Sequence, residues 1–266
     1  MELADRNVVI TGAGSGIGRA LARRVAAESP RAIVVADIDL PSAEAVAGEL
    51  GGLAVRTDVS REQEIVELVR QAREFGGPID LFCSNAGVPG PPGGPEASDE
   101  EWQRTWEVNV MAHIWAARVL LPEMVQRTEG YLLSTASAAG LLTQVGALAY
   151  SVTKHAAVAV AEWLAITYAG AGVKVSCLCP LGVRTPMLEQ ALEDSLGATA
   201  LLQDELLEPE EVAEAVIAGV REERFLILPH ETLAKYVALK GTDHERWLTG
   251  MQRLVRRARE SPGASS

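Results

Sequence analysis

Cysteine is scarce in the 266 residues, with only Cys83, Cys177 and Cys179 present. An odd number set in apolar, strand-like runs excludes a disulfide framework and fits no zinc-ligand spacing, so buried free thiols are expected. The histidines His113, His155, His230 and His244 also lack metal spacing, and no metal site is expected. Positive charge is in deficit, because 24 Lys and Arg face 36 Asp and Glu for a net −12. Phosphate backbones and anionic lipids select basic surfaces, so nucleic acid and membranes are not expected partners. Arg253, Arg256, Arg257 and Arg259 form the one basic stretch and read as a solvated helix face. Long apolar runs are absent too: nothing approaches the roughly 18 residues of a membrane span. The start, Met1-Glu2-Leu3-Ala4-Asp5-Arg6, carries acidic residues and enters a strand-like run, which makes the cytoplasm the expected compartment.

What is present is an ordinary soluble composition, 48% hydrophobic and 23% charged. One large α/β domain over residues 1–260 is expected, rather than two small ones. Apolar runs at 7–11, 32–36, 53–56, 79–84, 130–134, 173–179 and 225–228 read as buried strands. Helical patterns at 17–28, 42–50, 61–75, 99–126, 150–169 and 209–221 alternate with them. Such alternation implies βαβ units, hence a doubly wound parallel sheet of about seven strands with helices on both faces. The Pro/Gly-rich stretch 87–95 follows a strand and is expected as a mobile loop at the sheet's carboxyl edge, where open α/β folds bind ligands. Residues 261–266 are small and polar and are expected to be disordered.

Gly12-Ala13-Gly14-Ser15-Gly16-Ile17-Gly18 lies between the first strand and the first helix. Glycines let a backbone approach a pyrophosphate, and a helix N-terminus offers free N–H groups and partial positive charge; a tight structural turn is the competing explanation. Asp37 ends the second strand nineteen residues after Gly18, where a carboxylate accepts both ribose hydroxyls of an adenosine. NAD is therefore expected over NADP, since a 2′-phosphate would meet a like charge there. Arg31 precedes Asp37 by six residues and is expected to point elsewhere; an ordinary strand-end aspartate remains the alternative.

Tyr150 and Lys154 stand four apart, on one face of a helix, and Ser137 lies thirteen positions upstream. An ammonium beside the phenol is expected to lower its usual value near ~10 and let tyrosine act as a base. Ser134 is sixteen positions from Tyr150 and does not fit the same spacing.

Over about residues 5–230 the chain resembles the short-chain dehydrogenase/reductase family. The likeness rests on Thr11-Gly12-x-x-x-Gly16-Ile17-Gly18, Asp58, Asn85-Ala86-Gly87, Asn109, Ser137, Tyr150-x-x-x-Lys154 and the stretch 180–185, in the family's order and spacing. The resemblance implies a Rossmann-type fold and hydride transfer between NAD(H) and a secondary alcohol or ketone. By it, Tyr150 exchanges a proton with the substrate oxygen, Lys154 assists it and holds the nicotinamide ribose, and Ser137 donates to the oxygen where charge develops. Asn109 resembles the family's helix-kinking asparagine that tethers a water linked to Lys154. Gly12, Ser15, Gly16, Ile17, Gly18 and Asp37 would hold the cofactor, together with Asp58, Val59, Asn85, Ala86, Gly87, Pro180, Val183 and Thr185. Asp58 is read equally well as a cap of the helix near Arg61. The family's Pro-Gly-x-Val-x-Thr appears here as Pro180-Leu181-Gly182-Val183-Arg184-Thr185, so Leu181 replaces a glycine; it narrows the nicotinamide approach or reaches the substrate, or Gly182 relaxes the turn.

Residues 187–207 correspond to the family's variable lid and are rich in Leu and Ala. An apolar lid suggests an apolar or amphipathic substrate, though an amphipathic helix packed on the body has the same leucines. Gln144 is the candidate polar substrate contact. Trp102 and Trp106 form an i, i+4 pair, and Trp115 and Trp163 lie on two long helices resembling the family's dimerisation helices, which implies a homodimer or homotetramer; core packing is the competing explanation for each. A non-catalytic NAD-binding sensor on the same fold is the alternative function.

Overall fold

The structure, a computed structural model, describes residues 1–191 and 205–260. The strands are β1 (Asn7–Thr11), β2 (Ala32–Asp37), β3 (Leu53–Arg56), β4 (Leu81–Ser84), β5 (Gly130–Thr135), β6 (Val173–Leu178) and β7 (Leu226–Ile227). They form one parallel sheet ordered β3-β2-β1-β4-β5-β6-β7, the expected doubly wound architecture.

Alternation along each strand builds two cores. Val8, Ile10, Ile33 and Val35 enter one layer, while Val9, Val34 and Ala36 enter the other. Burial on both faces explains why the strands read as unbroken apolar runs rather than alternating ones. On the first face pack α1 (Gly16–Ala26), α2 (Leu40–Leu50) and α9 (Pro209–Arg221), carrying Leu21, Val46 and Val216 inward. On the second lie α3 (Glu62–Gly76), α5 (Ala112–Gln126) and α7 (Leu148–Tyr168), contributing Leu68, Leu120 and Ala161. Shorter elements are α4 (Asp99–Trp106), α6 (Ala139–Leu142) and α8 (Pro186–Ala191). The chain closes with α10 (Glu231–Thr242) and α11 (His244–Glu260).

Three expectations change. The run 99–126 is not one α-helix, since a π-helical turn, Glu107–Met111, separates α4 from α5. Its start is legible in a capping box: Ser98 Oγ accepts from Glu101 N at 3.3 Å, and the Glu101 carboxylate accepts from Ser98 N at 2.9 Å. β4 begins at Leu81 rather than 79, because the Asp80 carboxylate accepts from Asn7 N at 2.8 Å and meets Arg31 at 2.9 Å. At the sheet edge β7 keeps only two residues.

Strand order reverses between β1 and β4, so the carboxyl ends of these two strands, with β2, β5 and β6 beside them, open onto a crevice where such sheets bind ligands. The stretch 87–95 lies there as expected, but it is tied down: Gly93 N donates to Gly146 O at 2.7 Å and Leu148 N to Gly93 O at 3.1 Å. Of the lid 187–207, residues 192–204 lie outside the described residues, as does the 261–266 tail. The lid's far end is anchored, with Leu207 N donating to Gly182 O and Arg184 N to Leu207 O. Among the described residues no helix is long and apolar enough to cross a membrane. All three cysteines are buried and free, and no metal-binding group of side chains occurs among the described residues.

Candidate active site

A cleft of about 1220 Å³ runs along the carboxyl ends of the strands, from the glycine turn to α11. Gly12, Ser15, Gly16, Ile17 and Gly18 line one end, with Asp37, Asp58, Val59, Asn85, Ala86 and Gly87. Positive φ at Gly12 (64°) and Gly16 (49°) makes the turn, and the α1 N-terminus carries no acidic residue in its first turn. A side chain at Gly12 would sit 2.8 Å from Ala86 Cα, and one at Gly16 3.1 Å from Thr185 Cγ2, so bare backbone floors this part of the cleft. Asp37 is held there by two bonds, Oδ2 accepting from Gly14 N at 2.8 Å and Oδ1 from Asp39 N at 3.1 Å. Arg31 points away as expected, to Asp80 and to the carbonyls of Asp5 and Gly76. A glycine cradle at a helix N-terminus with a carboxylate across from it fits a dinucleotide.

Asp58 does not cap α3, whose N-cap position is Arg61 with no side-chain cap bond. It lines the cleft, and its Oδ1 closes the local turn before the helix, accepting from Ser60 N at 3.0 Å and Ser60 Oγ at 2.7 Å. Burial raises its carboxyl, but the Ser60 bonds and the charges of Arg104 and Arg61 outweigh that and hold it below the usual range. Thr11 had been noted only as part of a motif. Its hydroxyl accepts from Asn85 N (3.0 Å) and Ala86 N (3.1 Å), stitching β1 to the Asn85-Ala86-Gly87 segment.

Ser137, Tyr150 and Lys154 meet on the far wall, with Gln144 beside them. Lys154 is buried; its Nζ donates to Thr135 O at 3.0 Å and sits 5.6 Å from the Tyr150 ring centroid. Burial pushes Lys154 down to about 8, with the neighbouring Cys177 and Cys179 opposing, so it remains largely cationic at neutral pH. The expected lowering of Tyr150 is not found. Burial raises the phenol, and the counterweight is a hydrogen bond with Ser137. The Lys154 ammonium bonds a backbone carbonyl of β5, and at the phenol burial is the dominant influence. Ser137 Oγ also accepts from Ala139 N at 3.1 Å, which fixes the serine at the start of α6.

Asn109 sits in the π-helical turn that interrupts the run from α4 to α5. Fully buried in the π-helical turn, it does not line the cleft. Its Oδ1 accepts from Val88 N and its Nδ2 donates to Val88 O, each at 2.9 Å, with a third bond to Thr153 Oγ1 at 3.2 Å. The side chain therefore clamps the 85–88 segment to α7, one residue before Lys154. One helical turn on, His113 is buried, and neither ring nitrogen has a protein partner among the described residues. Burial first, and the Lys154 charge second, push it down to about 3.

That histidine yields a pH prediction. Its folded value lies below the unfolded one near ~6.5, so the unfolded chain takes up the proton first and stability is lost as pH falls from ~6.5 toward 3. Between pH 6.5 and 4 the loss is roughly 3 kcal/mol. His113→Leu should shrink the drop in urea-unfolding free energy between pH 7 and pH 4 by about that amount. An unchanged drop would show that His113 does not charge on unfolding.

Pro180, Val183 and Thr185 line the cleft where expected, and so does Leu181. The Leu181 turn is held by His230, which sequence reading left without a role: Leu181 N donates to His230 Nδ1 and the other ring nitrogen bonds Gly182 O, both at 3.2 Å. A second omission is larger. Tyr236 of α10 and Trp247, Gly250, Met251 and Leu254 of α11 close the outer end of the cleft. The amphipathic spacing of Trp247, Met251 and Leu254 at i, i+4 and i+7 was the available signal.

Comparison with known proteins agrees with this geometry. The short chain dehydrogenase family model matches residues 6–196. The chain is 37% identical over 235 residues to 1-deoxy-11-beta-hydroxypentalenate dehydrogenase of Streptomyces exfoliatus, covering 85% of this chain and 84% of that one. It is 32% identical over 262 residues to rat (Rattus norvegicus) estradiol 17-beta-dehydrogenase 11, covering 96% and 85%. A short-chain dehydrogenase/reductase from Burkholderia phymatum, solved in complex with NAD, superposes with a TM-score of 0.85 at 32% identity, covering 92% and 96%. The chain belongs to the short-chain dehydrogenase/reductase family. It is an oxidoreductase that interconverts alcohol and carbonyl groups.

Proposed function

We propose that this enzyme oxidises an apolar or amphipathic secondary alcohol, or reduces the matching ketone, with NAD(H) preferred over NADP(H). The observation that carries the reading is the single cleft with Asp37 and the glycine turn at one end and Ser137, Tyr150 and Lys154 at the other. When bound, the nicotinamide supplies the hydride chemistry. Tyr150 moves the proton at the substrate oxygen, Ser137 donates to that oxygen as charge develops, and Lys154 contributes a buried positive charge and holds a ribose. Asn109 acts as a positioning residue, through Val88 and Thr153. The outer walls, Leu142, Leu181, Met187, Trp247, Met251 and Leu254, favour an apolar substrate body, and Gln144, which lines the same cleft, is the polar substrate contact. The experiment is a panel of apolar secondary alcohols with NAD. Turnover supports the reading, whereas NADH binding without turnover across the panel would point to a sensor.

Asp37 supports the cofactor preference, having no ion pair among the described residues. Asp37→Ala should remove bonds to a charged group, worth about 1.5–3 kcal/mol, and lower NADH affinity roughly 10- to 100-fold while sparing NADPH. Calorimetric titration of both cofactors checks this. Equal wild-type affinities would refute the role given to Asp37.

A homodimer or homotetramer is proposed from an apolar stripe on α7: Leu148, Val152, Trp163 and Ile166 are exposed, the last two by 59% and 81%, with Trp106 of α4 also exposed. Ile166→Lys should shift sedimentation toward the monomer; a monomeric wild type would remove the proposal. The cytoplasm remains the proposed compartment, and recovery of the protein in the membrane fraction of its cells would contradict it.

A further inference from the structure

Beside the apolar residues that close the outer end of the cleft, α11 carries arginines that line a separate space. A second cavity of about 300 Å³ lies between α10 and α11, bounded by Leu239, Arg246, Gly250, Arg253, Leu254 and Arg257. Gly250 and Leu254 border both this cavity and the main cleft. Arg246, Gly250, Arg253 and Arg257 are spaced i, i+4, i+7 and i+11, one face of the helix, and Trp247, Met251 and Leu254 form the adjoining apolar face. Glycine inside a helix is disfavoured relative to alanine. At Gly250 a side chain would meet nothing within 4 Å, so the missing side chain leaves open space where the two cavities share a border.

Charge points the same way. In a chain of net −12, arginines elsewhere are largely paired with carboxylates, as in Arg23–Glu49, Arg24–Glu214, Arg118–Glu62 and Arg184–Glu208. Arg246 and Arg253 make no ion pair among the described residues; the one bond of the Arg253 guanidinium is Nε to Thr249 O at 3.3 Å. No acidic side chain lines the second cavity. Asp243 is used at the helix start, where its Oδ1 accepts from Arg246 N at 3.0 Å. Two guanidinium forks on an apolar mouth match a carboxylate in geometry and charge.

We propose that Arg246 and Arg253 form a subsite for a carboxylate at the far end of the substrate, so that the enzyme favours hydroxy or oxo acids whose reacting carbon is separated from the carboxylate by an apolar body. This rests on the dehydrogenase reading of the main cleft and adds the substrate's second recognition point. The carboxylate takes no part in the chemistry; it sets which substrates are held.

The test is a series of long-chain secondary hydroxy acids, each paired with its methyl ester, assayed for kcat/KM with NAD. Wild type should favour the acid by roughly 10- to 100-fold, the range of hydrogen bonds to a charged group, with the difference in KM. The double variant Arg246→Gln/Arg253→Gln should bring the acid-to-ester ratio toward one, and rising salt should erode the wild-type ratio. A wild-type ratio near one, or a ratio that survives the double variant, would overturn the subsite while ester turnover still upholds the dehydrogenase. Failure of both acids and esters to turn over would overturn the dehydrogenase reading itself, and the subsite with it.

Discussion

Tyr150→Phe is expected to lower kcat/KM for alcohol oxidation by roughly 10²–10⁴-fold, the usual worth of a positioned proton-transfer group. In activation free energy that is about 3–5 kcal/mol. Only the hydroxyl is removed, and the ring keeps its place in the cleft wall, so NADH affinity should stay within about twofold of wild type. Ser137 and Lys154 remain, but neither stands where the Tyr150 hydroxyl did, and Lys154 Nζ is placed against Thr135 O. The pH profile adds a second readout. Burial raises Tyr150, which makes its base form the minor one at neutral pH, so wild-type alcohol oxidation should accelerate as pH rises and ketone reduction should slow. The variant's residual activity should lose that slope. Turnover that survives the substitution with its pH dependence intact would remove Tyr150 from the mechanism.

Gly18→Ala should be the most damaging single methyl in the molecule's nucleotide end. The added carbon would lie 2.1 Å from Gly12 O and 2.6 Å from Asn85 Nδ2. Asn85 Nδ2 donates to Thr11 O at 3.0 Å, so the intrusion pushes apart the glycine turn, α1 and the Asn85-Ala86-Gly87 segment together. Overpacking of this kind costs about 1–3 kcal/mol, and at roughly 2–4 °C per kcal/mol the melting temperature should fall by about 2–12 °C. NADH affinity should fall more than tenfold, since the cradle is displaced. Gly48→Ala is the control: nothing lies within 4 Å of the added carbon in α2, and helix propensity favours alanine by about 1 kcal/mol. Equal effects of the two substitutions on melting and binding would show that Gly18 is not a packing requirement.

Much of this architecture was legible in the chain because it depends on local pattern. Strands buried on both faces read as apolar runs, and the glycine turn announces itself between strand and helix. Tyr150, Lys154 and Ser137 were found by spacing, and the structure puts all three on one wall. What escaped depends on partners far away in sequence. Asn109 is legible as a break in a helix, and it does lie in a π-helical turn, but its bonds to Val88, twenty-one residues back, and Thr153, forty-four ahead, are not. Leu181 stood out as a missing glycine, and only the fold reveals His230, forty-nine residues on, holding its turn. The Tyr150 shift went the other way from expectation because burial is a tertiary quantity, which i, i+4 spacing does not report. For α11 the amphipathic pattern was present, but a pattern shows that a face is covered without showing that it covers the substrate end of the cleft.

The central claim is direct hydride transfer from a carbinol carbon in this cleft. Its most direct measurement uses the apolar secondary alcohols that turn over, deuterated at the carbinol carbon, with NAD, followed by mass analysis of the reduced cofactor. The deuterium should appear in NADH, and Tyr150→Phe should suppress its appearance. Deuterium released to solvent, or NADH formed without it, would contradict the account.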